Sequence, residues 1–168
     1  LTQSVLLVAT LGQPAGFDKN EIFRVAELKD AEQLPEEATG YDALNALVIA
    51  GPYDLDRKRN DALRDWVRLG GHLVISVGSE VEAYRLGPLA TWMPVPSRGQ
   101  FRLRALGGLE AFADNSTRIP IPVGVRTIQA AQIGPINGQV LIGSLNGPLL
   151  IRVPFGFGQV TVLGIDLN

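Results

Sequence analysis

The chain has no cysteine and a single histidine in 168 residues. Without cysteine there can be no disulfide, no thiolate metal site and no thiol nucleophile. One histidine supplies at most one imidazole base or ligand, not a cluster. Charge is sparse as well: 19% of residues are charged, the net charge is −2 and the signs are interspersed. With no basic patch, nucleic-acid binding is disfavoured. No apolar run approaches the roughly 20 residues needed to span a bilayer. No signal peptide is recognisable, and the chain begins at Leu1 rather than Met, so it reads as a piece excised from a longer polypeptide.

What the chain does have is core-forming material. Apolar residues make up 46% of it, enough at this length for a single domain over residues 1–168 and too much for a disordered chain. The stretch Tyr41 to Glu80 organises the rest. Ala46 to Ala50 is a continuous apolar run ended by Gly51-Pro52, the pattern of a strand buried on both faces. Asp56 is placed to cap a helix in which Ala62, Leu63, Trp66, Val67 and Leu69 share one stripe. The opposite face offers the pairs Arg57/Asp61, Asp61/Arg64 and Asp65/Arg68. Gly70-Gly71 ends the helix, and His72 to Val77 forms the next buried strand. Strand, helix and strand of these lengths predict a right-handed crossover between parallel neighbours.

Elsewhere, Ser4 to Ala9 reads as a first strand, Thr10 to Asn20 as loop, and Phe23 to Glu27 as a second strand. Ser79 is placed to cap a short helix running to Leu86, and Gly87 to Gly99 reads as irregular. Weak helix is expected around Leu109 to Phe112. From Arg118 onward the segments RIPIPV, TIQAAQI, QVLIGS, PLLIRVPF and QVTVLGIDL read as short strands and hairpins. Asn146-Gly147 and Gly156-Phe157-Gly158 mark turns.

The motifs Tyr41-Asp42-Ala43-Leu44, Asp61-Ala62-Leu63-Arg64-Asp65-Trp66-Val67 and Gly70-Gly71-His72-Leu73-Val74, with the closing PLLIRVPFGFGQVTVLGIDLN, resemble the class I glutamine amidotransferase-like superfamily. More narrowly, they are similar to its non-catalytic branch inside bacterial membrane-associated proteins. The resemblance is most specific over residues 41–79 and weaker over 148–168. It implies an α/β, flavodoxin-like three-layer sandwich with a mostly parallel sheet, and additional antiparallel strands and hairpins in the C-terminal third. It also implies membrane tethering through segments outside this chain, possibly on the extracytoplasmic side.

In active members of that superfamily a cysteine occupies the tight turn after the strand matching His72 to Val77, and a histidine comes from much later in the chain. Here the turn reads Val77-Gly78-Ser79-Glu80 and no histidine follows it. His72 stands five residues before Val77, roughly 17 Å away at about 3.3 Å per residue. The expectation is therefore an inert domain that needs no cofactor or metal and engages neighbouring domains or a protein partner. A small ligand would sit at the C-terminal strand ends, where Gly51, Pro52, Gly78, Ser79, Glu80 and Asp166 are the candidates. The alternatives are a hydrolase using Ser79 with an acidic or backbone-assisted base, and a purely structural docking module. A cation held by Asp54, Asp56 and Glu80 is a further reading, set against ordinary capping roles for these residues.

Overall fold

A computed structural model of the chain describes residues 5–14, 23–51, 53–103, 106–112, 127–134 and 137–167. In chain order the elements are β1 (Leu6–Leu11), β2 (Phe23–Leu28), β3 (Ala46–Ala50), α1 (Arg57–Leu69), β4 (His72–Ser76) and α2 (Val81–Leu86). They continue with β5 (Ser97–Leu103), α3 (Gly107–Phe112), β6 (Ile128–Ile133), β7 (Gln139–Ser144), β8 (Gly147–Phe155) and β9 (Gly158–Leu163). The described part of the loop expected over Thr10 to Asn20 gives its first two residues to β1; the start of the first strand at Ser4 and the segment RIPIPV lie outside the described residues.

Among the described residues, seven strands form one sheet in the order β2-β1-β3-β4-β9-β8-β7. The first five run parallel, and β8 and β7 return antiparallel. The crossover is present as read: β3 and β4 pair in parallel, Leu47 opposite Leu73 and Ile49 opposite Ile75. The fold is thus mixed α/β with a mostly parallel sheet, and β5 and β6 form a separate antiparallel ribbon.

Residues Leu47 to Ala50 of β3 are all buried, as a strand covered on both faces requires. On β4, Leu73 and Ile75 are buried while His72 and Val74 are only half-buried, so its second face is more open than the apolar run suggests. Helix α1 is amphipathic and buries Ala62, Leu63, Trp66 and Val67 in the main core. Asp56 caps it by accepting from Arg59 N at 2.9 Å. Arg59 is half-buried and also donates to the carbonyls of Leu34 (3.0 Å) and Glu32 (2.9 Å), tying the segment before β3 to the start of the helix. The exposed pairs differ in one detail: Arg57–Asp61 (3.9 Å) and Arg64–Asp61 (3.0 Å) form, but Asp65 is held by Arg64 (3.1 Å) rather than by Arg68.

Two local readings need correction. The helix after β4 starts at Val81 with Glu80 in the cap position, so Ser79 does not cap it. The segment from Ser97 to Leu103, read as irregular up to Gly99, is strand β5, paired with β6 from Phe101 opposite Ala130 to Leu103 opposite Ile128, while the weak helix expected around Leu109 to Phe112 forms as α3. A second, smaller core lies beneath this ribbon, built from Leu103, Leu106, Ala130, Ile142 and Leu149.

Candidate functional site at the carboxyl ends of the parallel strands

The carboxyl ends of β3, β4 and β9 converge, and a polar tie holds them in register. Ser76, a buried hydroxyl at the end of β4, donates to Ile165 O (2.9 Å) and accepts from Leu167 N (3.0 Å). Both carbonyl and amide belong to neighbours of Asp166, so Ser76 fixes the position of that carboxylate. A buried hydroxyl must find partners, and Ser76 within the apolar run HLVISV was the signal available for it in the sequence.

The turn after β4 then brings the candidates together. Gly78 has φ +46, and a Cβ there would lie 2.6 Å from Asp166 Cα and Cβ. Only glycine lets the turn close this tightly on the segment after β9. Ser79, exposed at the tip, donates from Oγ to Asp166 Oδ2 at 3.2 Å. Glu80 folds back over Gly51, its Cγ 3.1 Å from where a Cβ on Gly51 would stand. Gly51, Gly78, Ser79, Glu80 and Asp166 therefore share one strand-end surface, while Pro52 lies outside the described residues. Tyr53 supports the surface from below: its hydroxyl donates to Ser76 O and its ring meets Tyr84 edge-on at 5.9 Å. Burial pushes the Tyr53 phenol well above its ordinary range, so it stays a neutral donor.

Sequence reading missed the ribbon that reaches this surface. Gln100 on β5 donates to Ser79 O (2.9 Å), and Ala131 on β6 donates from its N to Gly164 O (2.6 Å). Ala130 also bridges Ile165. Such contacts join segments far apart in the chain, and no local pattern announces them.

His72 sits at the opposite end of β4. Its Nε2 is 3.0 Å from Thr161 Oγ1, and the same oxygen accepts from Arg152 Nε at 3.3 Å. Arginine can only donate, so Thr161 Oγ1 accepts from Arg152, and the direction of its hydrogen bond with His72 Nε2 follows the tautomer of the ring. Burial, reinforced by the Arg152 charge, lowers the His72 pKa below 6.5. A histidine depressed in the folded state binds its proton more readily when unfolded. Stability is therefore complete above about pH 6.5 and falls as pH drops through that value toward the folded pKa. Urea midpoints at pH 7.5 and pH 5 are expected to show this loss, and His72→Gln, whose amide can pair with Thr161 but does not titrate, is expected to flatten it.

Asp56 is committed to capping α1, and no group of three or more His, Cys, Asp or Glu gathers among the described residues. No helix among those residues is long and apolar enough to cross a membrane.

No family profile and no curated protein matches the sequence. Solved structures do share the fold. A cytoplasmic protein of Salmonella typhimurium LT2 superposes with a TM-score of 0.66 at 16% identity, over 97% of this chain and 89% of that one. A second Salmonella typhimurium cytoplasmic protein gives 0.65 at 14% identity, over 96% and 88%. A beta-galactosidase of Bacillus circulans gives 0.57 at 13% identity, over 96% of this chain but only 28% of the enzyme. At these identities the likeness is one of fold, and the galactosidase exceeds this chain several-fold in length.

Proposed function

We propose that this chain is a non-catalytic interaction domain of the glutamine amidotransferase-like, flavodoxin-like kind, engaging a neighbouring domain or protein partner through the strand-end surface around Ser79. The parallel order β2-β1-β3-β4-β9 supports the flavodoxin-like reading, since it follows the 2-1-3-4-5 order of that fold. Tethering to a membrane through other segments rests on the sequence resemblance alone.

The observation that carries the inert reading is the partner of Ser79. Its hydroxyl donates to a carboxylate, Asp166, while the chain's one imidazole is engaged with Thr161 at the far end of β4. A carboxylate without an intervening imidazole orients a serine hydroxyl but is a poor base for removing its proton. The same contact is what a hydrolase reading would build on, and a fluorophosphonate probe separates the two. Folded protein is expected to show no labelling at Ser79, and no ester or glutamine turnover beyond that of Ser79→Ala. Stoichiometric labelling abolished by Ser79→Ala would overturn the proposal. In the full-length polypeptide, a photo-crosslinking residue at position 79 is expected to trap a neighbouring domain or partner more often than one at the exposed Leu86. Equal trapping at both positions would sink the docking reading.

A further inference from the structure

A second site lies away from the strand ends. Between the β5–β6 ribbon, α3 and the β7–β8 hairpin is a cavity of about 680 Å³. That volume falls within the ~300–1,000 Å³ of small-ligand sites and is too small for a folded partner. Its inner wall is apolar: Leu103 and Leu149 are buried members of the second core. Leu145, fully exposed at the tip of the hairpin, stands at the rim. Thr127 and Asn146 bring polar groups to the same wall.

Arg102 is the one charged side chain among the described residues that line the cavity. It enters none of the ion pairs formed among the described residues, and its cross-strand neighbour on β6 is the neutral Gln129. Among the described residues, the cavity thus combines an apolar wall with a single cation that has no acid in ion-pair contact. The complement of that arrangement is an apolar body carrying one negative charge. A dianion would leave charge unmatched, and a sugar would set its hydroxyls against leucine.

We propose that this cavity binds a small amphipathic carboxylate, its carboxylate on the Arg102 guanidinium and its apolar body against Leu103, Leu145 and Leu149. The site is independent of the strand-end reading, since none of its lining residues comes from the parallel strands.

The test uses three ligands that share a ten-carbon tail: decanoate, decanol and decyltrimethylammonium, titrated calorimetrically below their micelle thresholds. Decanoate is expected to bind at one equivalent, at least tenfold more tightly than either of the others. Arg102→Gln is expected to remove that preference, whereas Arg98→Gln, on the same strand outside the cavity, is expected to keep it. Occupying the space provides a second variant. An added Cβ at Gly107 or at Gly143 meets nothing within 4 Å, so Gly107→Leu with Gly143→Leu is expected to fold and to weaken decanoate at least tenfold. Absence of decanoate binding to folded protein would overturn the proposal. So would equal affinity for the three ligands, or a decanoate affinity indifferent to both Arg102→Gln and the double leucine variant.

Discussion

Trp66→Ala is expected to destabilise the fold by about 4 kcal/mol, within the range for deleting a buried aromatic. The indole is only 4% exposed and stacks on Tyr41, ring centroids 5.4 Å apart at 28°. Tyr41 in turn donates to Pro35 O (3.0 Å), so the indole anchors the segment before β3 as well as its own helix. Gly71 matters in the same place. A Cβ there would stand 2.4 Å from two atoms of the indole, so the missing side chain makes room for the ring. Gly71→Ala alone is expected to cost about 2 kcal/mol through overpacking. In the Trp66→Ala background the same substitution should cost far less, because the ring it strikes is gone. Urea denaturation of the four proteins closes the double-mutant cycle. Simple additivity of the two losses would show that this contact is not what makes the helix end depend on glycine.

Gly78→Ala is the second large effect expected, a loss of about 3 kcal/mol. A left-handed backbone costs an alanine about 1–2 kcal/mol, and crowding in a packed site adds about 1–3 kcal/mol. Both apply here, since φ is +46 and the new Cβ would strike Asp166 Cα, Cβ and N at 2.6–2.7 Å. The clash is with backbone, which cannot swing aside as a side chain can. Gly143→Ala is the control, for its Cβ meets nothing within 4 Å. Thermal or urea unfolding of the pair measures the difference. A Gly78→Ala protein as stable as the control would mean that the turn is not packed on Asp166, and the strand-end surface would lose its basis.

The unit from Ala46 to Ser76 was legible because each of its signals is local. The apolar run of β3, the Asp56 cap, the stripe holding Trp66 and the Gly70-Gly71 stop all act within a few residues of one another, and the observed bounds follow them. The turn signals Asn146-Gly147 and Gly156-Phe157-Gly158 were legible for the same reason, although the first turn sits one residue earlier, at Leu145-Asn146. Strand β5 was not. Pro94, Pro96 and Gly99 argue against a strand locally, and what makes it one is pairing with β6, whose residues lie some 25–36 positions further on. Ser79 shows the same limit at the site. A serine ahead of a short helix has the form of a cap, yet its hydroxyl is taken by Asp166, 87 residues away. Of the candidate residues, glycines 51 and 78 were found as strand-end punctuation, whereas the clamp at Ser76 and the approach of Gln100 appear only once the chain is folded.

The position of β9 carries one more consequence. Strand β9 follows β1 to β8 in sequence yet lies in the interior of the sheet, hydrogen-bonded to β4 on one side and β8 on the other. Until residues 158–163 emerge, a nascent chain can hold only two disconnected half-sheets, each with an open edge able to join another chain. A premature stop shortly before Gly158 would therefore leave both half-sheets with edges open to other chains. In cells, a newly made chain should depend on chaperones most until this segment has emerged.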